Sequence, residues 1–265
     1  MEKKSTTSQS ENQQKPPVKR IKNILISQPE PSAGNSPYNE LEEKYKVKLT
    51  FKPFIKIEGV SAKEFRKERV NITDHTAVIF TSRTAIENFF RICEETRTEV
   101  SEEMKYFCVT EAIALYLQKF ITYRKRKVFF PKTRDKTLKD YLLKHKKEKF
   151  LFPRSNIGQN DIPEFLESKG IAYSPATLYK TLPSDLSDLQ IEDYEIVCFF
   201  SPAGIQSLKE NFPDFKQNET LIAGFGPATC EEVTNQGYRL DIKAPAPQMP
   251  SMKMALEAYL KKSNK

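Results

Sequence analysis

The sequence predicts an α/β protein built from two similar three-layer domains with mostly parallel sheets, and three observations carry that prediction. Short apolar runs rich in Val, Ile and Phe alternate with helix-like stretches along most of the 265 residues, as strands covered on both faces should. At roughly 100–200 residues per domain, this length favours two domains. The block Val78-Ile-Phe-Thr-Ser82-Arg-Thr-Ala-Ile86 aligns without gaps on Val197-Cys-Phe-Phe-Ser201-Pro-Ala-Gly-Ile205, with Val, Phe, Ser and Ile in register. Each block reads strand, Ser, helix. Each is followed by a second such unit, Phe107-Cys-Val-Thr110-Glu-Ala-Ile113 after the first and Ala223-Gly-Phe-Gly226-Pro-Ala-Thr229 after the second. Repeated βα units place a site at the carboxyl ends of the strands, here expected in a cleft between the halves.

Residues 1–21 are a polar tail, expected to be disordered. Asn23-Ile-Leu-Ile-Ser27 reads as a short buried strand and Gln28 to Ser36 as a loop. A helix is expected from Pro37 to Lys46, with Ser36 as N-cap and Pro at the first helical position. The alternating run Lys48 to Ile57 looks extended, and Pro53 makes it an edge strand or a crossing between domains. Strands are then expected at Thr76–Ser82, Met104–Thr110, Lys127–Phe130, Lys149–Phe152, Ile171–Thr181, Glu195–Ser201, Thr220–Gly226 and Arg239–Ala244. Helices are expected at Arg83–Glu95, Glu111–Phe120, Thr137–Lys147, Asp161–Lys169, Ala203–Phe212, Ala228–Gln236 and Pro250–Lys262.

Composition excludes several classes. Apolar residues make up 38% of the chain, and no window reaches the roughly 18 apolar residues of a membrane span. The first 21 residues lack the apolar core of a secretory signal, so a cytoplasmic protein is expected. Cys93, Cys108, Cys198 and Cys230 form no CxxC pair and have no His at ligand spacing, which argues against zinc or a disulfide framework. The net charge of +8 is local: residues 1–22 carry +4 and residues 124–149 carry +9, which leaves the rest acidic. Such a basic stretch suits a solvated helix face or a polyanionic small molecule, and the interleaved aromatics of a nucleic-acid surface are missing.

The chemistry lies at the strand-to-helix junctions. Free N–H groups at helix starts attract anions, and such starts are expected at Ser82, Thr110, Ser155, Ser201 and Gly226-Pro-Ala-Thr229. Each hydroxyl is also an ordinary N-cap; together they read as an anion-lined cleft. No Gly-x-Ser-x-Gly elbow, Walker A loop or His-Glu-x-x-His occurs, and Gly224-Phe-Gly226 lacks the rest of a dinucleotide fingerprint. His75 reads as a loop residue, with general acid/base work as the alternative, and Cys230 as a buried helix residue or a helix-terminus thiol. Tyr179, in the extended run Ala176-Thr-Leu-Tyr-Lys-Thr181, could present a phenol as a weak acid or simply pack.

From Lys22 to Tyr259 the chain resembles the uroporphyrinogen-III synthase family. The resemblance rests on the order of Ser36-Pro-Tyr38, Lys52-Pro-Phe-Ile-Lys-Ile57, Phe80-Thr-Ser82, Leu151-Phe-Pro153, Leu178-Tyr-Lys-Thr181, Phe199-Phe-Ser-Pro-Ala-Gly204, Gly226-Pro-Ala-Thr229 and Ala244-Pro-Ala-Pro247. It implies a discontinuous first domain from 22–53 and 181–265 and a second from 58–177. The two would be joined by a two-stranded hinge at 52–57 and 176–182. It also implies an enzyme without metal or cofactor that cyclises hydroxymethylbilane, a linear tetrapyrrole with four acetates and four propionates. Water leaves, ring D inverts through a spiro intermediate, and uroporphyrinogen III forms. By motif, Tyr179 would help hydroxide depart as water, as the catalytic residue. Ser82, Arg83, Thr110, Ser155, Ser201, Pro202, Ala203, Gly204, Gly226, Pro227 and Thr229 would bind substrate. A monomer is expected, with no nucleic-acid or membrane partner.

The chain departs from the family at Thr110, where Gly is frequent, at Ile113, where Thr is frequent, and at Ala228, where a first Thr of Gly-Pro-Thr-Thr is common. A second class, a non-catalytic tetrapyrrole- or protein-binding descendant, draws on those departures, whereas Tyr179 favours the enzyme. A nucleic-acid binder would rest on charge alone and would lose affinity steeply with salt.

Overall fold

The structure is a computed structural model and describes residues 20–31, 36–133, 135–158 and 160–264. The described chain divides into two compact units, the first ending at Ile55 and resuming at Pro183, the second spanning Lys56–Leu182.

The first unit contains β1 (Asn23–Ile26), α1 (Asn39–Tyr45) and β2 (Lys48–Phe51), and further strands and helices that follow the second unit in the chain. The second unit holds β3 (Ile55–Gly59, whose first residue belongs to the first unit), α2 (Ala62–Phe65), β4 (Ala77–Phe80), α3 (Arg83–Thr96), β5 (Lys105–Cys108), α4 (Glu111–Tyr116), β6 (Val128–Phe129), α5 (Leu138–Lys144), β7 (Phe150–Ser155), α6 (Asp161–Ser168) and β8 (Tyr173–Pro183). The returning elements are β9 (Ile196–Phe199), α7 (Pro202–Asn211), β10 (Leu221–Phe225), α8 (Pro227–Asn235), β11 (Leu240–Ala244) and α9 (Met252–Ser263).

The first sheet has the order β11-β10-β9-β1-β2 and its pairings are parallel. The second has the order β3-β8-β7-β4-β5-β6, parallel from β8 to β6. The orders correspond if β9-β10-β11 is matched with β4-β5-β6 and β1-β2 with β7-β8. The two units therefore share one strand arrangement, with the outlying pair placed before the repeat in one and after it in the other. The Val78 and Val197 blocks fall on matching central strands.

Both faces of each sheet are covered, which is why the strands read as continuous apolar runs. In β4, Val78 and Phe80 pack into one cluster with Phe89 and Ile92 of α3, while Ala77 and Ile79 pack with Leu142 of α5 and Leu166 of α6. In β1, Ile24 and Ile26 meet Leu41 of α1 and Leu256 of α9, while Leu25 meets Ile205 and Leu208 of α7.

Several boundaries differ from the sequence reading. The first helix starts at Asn39, not Pro37, and its N-cap position is Tyr38; the Ser36 hydroxyl accepts instead from the Tyr38 N–H at 3.2 Å. Ser155 does not begin a helix: it closes β7, and α6 starts at Asp161. The run from Lys48 to Ile57 breaks into two strands, β2 at the edge of one sheet and β3 at the edge of the other, because the segment through Pro53 leaves the ladder. The expected strand Ile171–Thr181 is shifted to Tyr173–Pro183, and the helix at Glu111 tightens into a 3-10 turn at Leu117–Lys119. The tail expectation for residues 1–19 lies outside the described residues. Ile21 is buried in the first unit's core, and its backbone pairs with the Asn264 side chain at 2.9 and 2.7 Å.

Candidate active site

In a parallel α/β sheet, ligands bind beyond the carboxyl ends of the strands, where neighbouring connections run in opposite directions. In the second unit that place is between β4 and β7; in the first it is between β1 and β9.

At the β4/β7 position the phenolic oxygen of Tyr179 lies 3.4 Å from Ser82 Oγ. Tyr179 comes from β8 and is buried, its ring part of the unit's core. Ser82 is extended at φ −152° and caps α3, its hydroxyl accepting from the Ala85 N–H at 3.0 Å. Ser155 is also buried; its hydroxyl pairs with Asn156 Oδ1 and Thr181 Oγ1, both at 2.9 Å. Its hydrogen bonds are thus those of a strand-end residue, not a cap. Thr81, Phe152, Arg154, Ser155, Asp161 and Tyr179 are among the residues lining a pocket of about 180 Å³ here.

Arg83 opens α3, and its guanidinium sits over the Tyr116 ring at 5.1 Å, while the Tyr116 hydroxyl donates to Glu87. Thr110 caps α4, with its hydroxyl accepting from the Ile113 N–H at 3.3 Å. Ile113 packs against the core of the unit, which accounts for an apolar residue in the first turn of α4.

In the first unit, Ser201 caps α7 and its hydroxyl accepts from the Gly204 N–H at 3.3 Å, with Pro202 at the first helical position and Ala203 next. A side-chain carbon added at Gly204 would stand 3.3 Å from the Phe199 ring, 3.7 Å from Ser201 Oγ and 3.8 Å from Ser27 Oγ. Ser27 and Ser201 therefore both flank Gly204 where β1 and β9 end. Gly226, at φ +90°, turns the chain from β10 into α8, with Pro227 as the first helical residue and Thr229 buried behind it.

The structure thus gathers Ser82, Ser155 and Tyr179 in one unit, and Ser201, Gly204, Gly226, Pro227 and Thr229 at one sheet edge of the other. Two residues escaped the sequence reading. Ser27 follows an apolar strand just as Ser82 and Ser201 do, and that pattern was the available signal. Arg154 follows the Leu151-Phe-Pro153 motif; its Nε donates to the Ser155 carbonyl at 3.3 Å, and it has no ion-pair partner among the described residues.

Other candidates fall away from this edge. His75 precedes β4 at its amino end, with Nδ1 2.9 Å from the Asn71 carbonyl. All four cysteines are free and buried. Burial pushes the Cys93 and Cys108 thiols up to about 12 and raises those of Cys198 and Cys230, and the Cys230 thiol donates to the Gly224 carbonyl at 3.4 Å. Among the described residues no three His, Cys, Asp or Glu side chains are grouped to hold a metal, and no helix is long and apolar enough to cross a membrane.

The family model described as HEM4, Uroporphyrinogen-III synthase HemD, matches residues 36–253. Among solved structures, a mutant uroporphyrinogen III synthase of the extremely thermophilic bacterium Thermus thermophilus is similar at TM-score 0.59 and 13% identity, covering 91% of this chain and 100% of its own. The uroporphyrinogen-III synthetase of Helicobacter pylori 26695 is similar at TM-score 0.57 and 15% identity, with the same coverage of 91% and 100%. At such identities these two likenesses show the fold. No curated protein matches the chain.

Proposed function

The chain belongs to the uroporphyrinogen-III synthase HemD family and is a cyclising lyase of tetrapyrrole biosynthesis; from that premise we propose that it acts on hydroxymethylbilane, with Tyr179 assisting the departure of the hydroxyl as water. The family match over residues 36–253 carries the reading. The placement of the Tyr179 hydroxyl beside Ser82, at the strand carboxyl ends, supports the role given to the tyrosine.

The chemistry asks mainly for geometry. The electron-rich substrate closes unaided to the non-inverted isomer, so the enzyme has to hold the chain where the substituted carbon of ring D attacks. Holding reacting groups in place can supply much of a barrier. The carboxylates suit the free N–H groups at the starts of α3, α7 and α8. In this reading Ser82, Arg83, Thr110 and Ser155 of the second unit and Ser201 to Gly204, Gly226, Pro227 and Thr229 of the first are the substrate-binding residues. Arg154 and Ser27 join them. A phenolic hydroxyl can donate to the leaving oxygen while Ser82 Oγ donates to the phenolic oxygen.

The test is the isomer produced. With hydroxymethylbilane generated in situ, the protein should shift the oxidised product from uroporphyrin I to uroporphyrin III. Tyr179→Phe should lower kcat roughly 10- to 100-fold, the scale of about 1.5–3 kcal/mol for a hydrogen bond to a developing charge. Isomer I alone from folded protein would refute the substrate assignment; an unchanged kcat in Tyr179→Phe would refute the role of the tyrosine only.

A further inference from the structure

We infer that Arg91 is a positioning residue for Tyr179, fixing the strand that carries the phenol against the helix that carries Ser82. The inference rests on the reading of Tyr179 given above.

Arg91 lies on α3, well along the helix from its Ser82 cap. An exposed helical arginine is satisfied by a carboxylate one turn away, and Glu95 provides one, with Arg91 Nη1 2.5 Å from Glu95 Oε1. The other terminal nitrogen, Nη2, reaches backbone carbonyls as well. It donates to the Val60 carbonyl at 2.8 Å and to the Leu178 carbonyl at 3.2 Å. These residues face each other, since the Val60 N–H itself donates to the Leu178 carbonyl at 2.9 Å. Leu178 immediately precedes Tyr179.

The guanidinium is held for this task. Asn88, buried on the same helix, accepts from Arg91 Nε at 3.2 Å and from Nη2 at 3.1 Å, while its own amide donates to the Thr84 carbonyl at 3.0 Å. The second Glu95 oxygen accepts from the Ala62 N–H at 3.2 Å, which ties the chain leaving β3 to the same group. Gly59 leaves the space: a side-chain carbon there would lie 2.7 Å from Arg91 Nη2 and 2.8 Å from Cζ. A planar fork with several donors fits this arrangement; an ammonium at the end of a flexible stem does not.

Helix α3 therefore holds β8 at two points, through Ser82 at the Tyr179 hydroxyl and through Arg91 at the neighbouring carbonyl. Releasing the second contact removes one of these two ties while the β7–β8 ladder remains, so the loss is a local shift of Leu178 and of the phenol beside it; a displacement of about 1 Å at a reacting group can cost roughly 100-fold.

The test is a double-mutant cycle on kcat and KM for uroporphyrinogen III formation, with thermal melts to establish folding. Arg91→Met should lower kcat about tenfold with KM within about twofold. Gly59→Ala, which crowds the guanidinium but keeps every helical side chain, should act in the same direction and serves if Arg91→Met does not fold. In the Tyr179→Phe background neither change should lower kcat further, because the group being positioned is gone. Equal losses in both backgrounds would mark Arg91 as scaffold and overturn the inference. Full kcat in Arg91→Met and Gly59→Ala beside a slow Tyr179→Phe would also overturn it and leave the tyrosine's role standing. Full kcat in Tyr179→Phe would remove that role and the inference with it.

Discussion

Arg154 shows what a single side chain contributes where local pattern is silent. It is a cation at the rim of the second unit's pocket, with its Nε on a backbone carbonyl and no ion-pair partner among the described residues. A polycarboxylate offers it the planar, two-oxygen partner a guanidinium matches best. Arg154→Met should therefore raise KM roughly 10- to 100-fold, the scale of about 1.5–3 kcal/mol for a charge-assisted hydrogen bond, with kcat changed much less. Steady-state kinetics checks this, and an unchanged KM would remove Arg154 from the binding set. The hydroxyls after the strands were legible because each follows an apolar run and opens a helix. Ser155 misled that logic: its hydrogen bonds go to Asn156 and Thr181, and the helix waits until Asp161.

Among the elements, α3 and α7 are matched by the internal repeat and do matching work at the crossing strands. In the first unit, Ser207 donates to the Phe54 carbonyl at 2.5 Å and Asn211 to the Ser184 carbonyl at 3.0 Å, while the Ser184 N–H donates to that same Phe54 carbonyl at 2.9 Å. In the second, Arg91 takes the Val60 and Leu178 carbonyls. The packing of α5 against β5 carries a pH dependence. His145 lies against the Phe107 and Phe129 rings with centroids 5.3 and 4.4 Å away, and burial, with Lys105 and Lys144 near, holds its pKa below the ordinary histidine value. Burial works to raise the Glu148 carboxyl, but hydrogen bonds from Lys105 and Thr76 outweigh it and hold it below the usual range. The signs agree. For a group with a depressed folded pKa, the unfolded chain binds the proton more tightly, so its contribution is present above the unfolded pKa and lost as pH falls. The melting temperature should decline as pH drops below about 6.5 from the histidine and fall further in the carboxylate range. His145→Gln should flatten the upper part of that decline. Identical pH profiles for wild type and variant would dismiss the histidine as the cause.

For the molecule as a whole, charge is distributed unevenly. Residues 124–149 carry +9 of a total of +8, so the remainder is slightly acidic. Part of that stretch is spent internally: Lys127 is buried, bonded to the Glu102 carbonyl and 2.8 Å from Glu103 Oε1, and Arg124 reaches Glu102 at 3.4 Å. The remaining lysines leave a positive field, which under the proposed function would draw in the polyanionic substrate. The observed kcat/KM should accordingly fall as salt rises, since the screening length is already about 10 Å at 0.1 M. Lys146→Gln combined with Lys147→Gln should weaken that dependence without touching kcat. A salt-independent kcat/KM would mean that the basic stretch plays no part in encounter.

The sequence by itself determined the alternation of strand and helix, the parallel character of the sheets and the family, because two-sided burial writes continuous Val, Ile and Phe runs and short motifs stay in chain order. It also marked Ser82 and Ser201, each after such a run, and Tyr179 within the extended stretch Ala176–Thr181. Only the tertiary structure decided that Tyr179 faces Ser82, that Ser27 and Ser201 flank Gly204, and that Arg91 reaches Leu178 through the space left at Gly59. The reason is range. Propensity and periodicity act over a few residues, whereas these contacts join positions such as Ser82 and Tyr179, separated by 97 residues, whose approach depends on strand order and register.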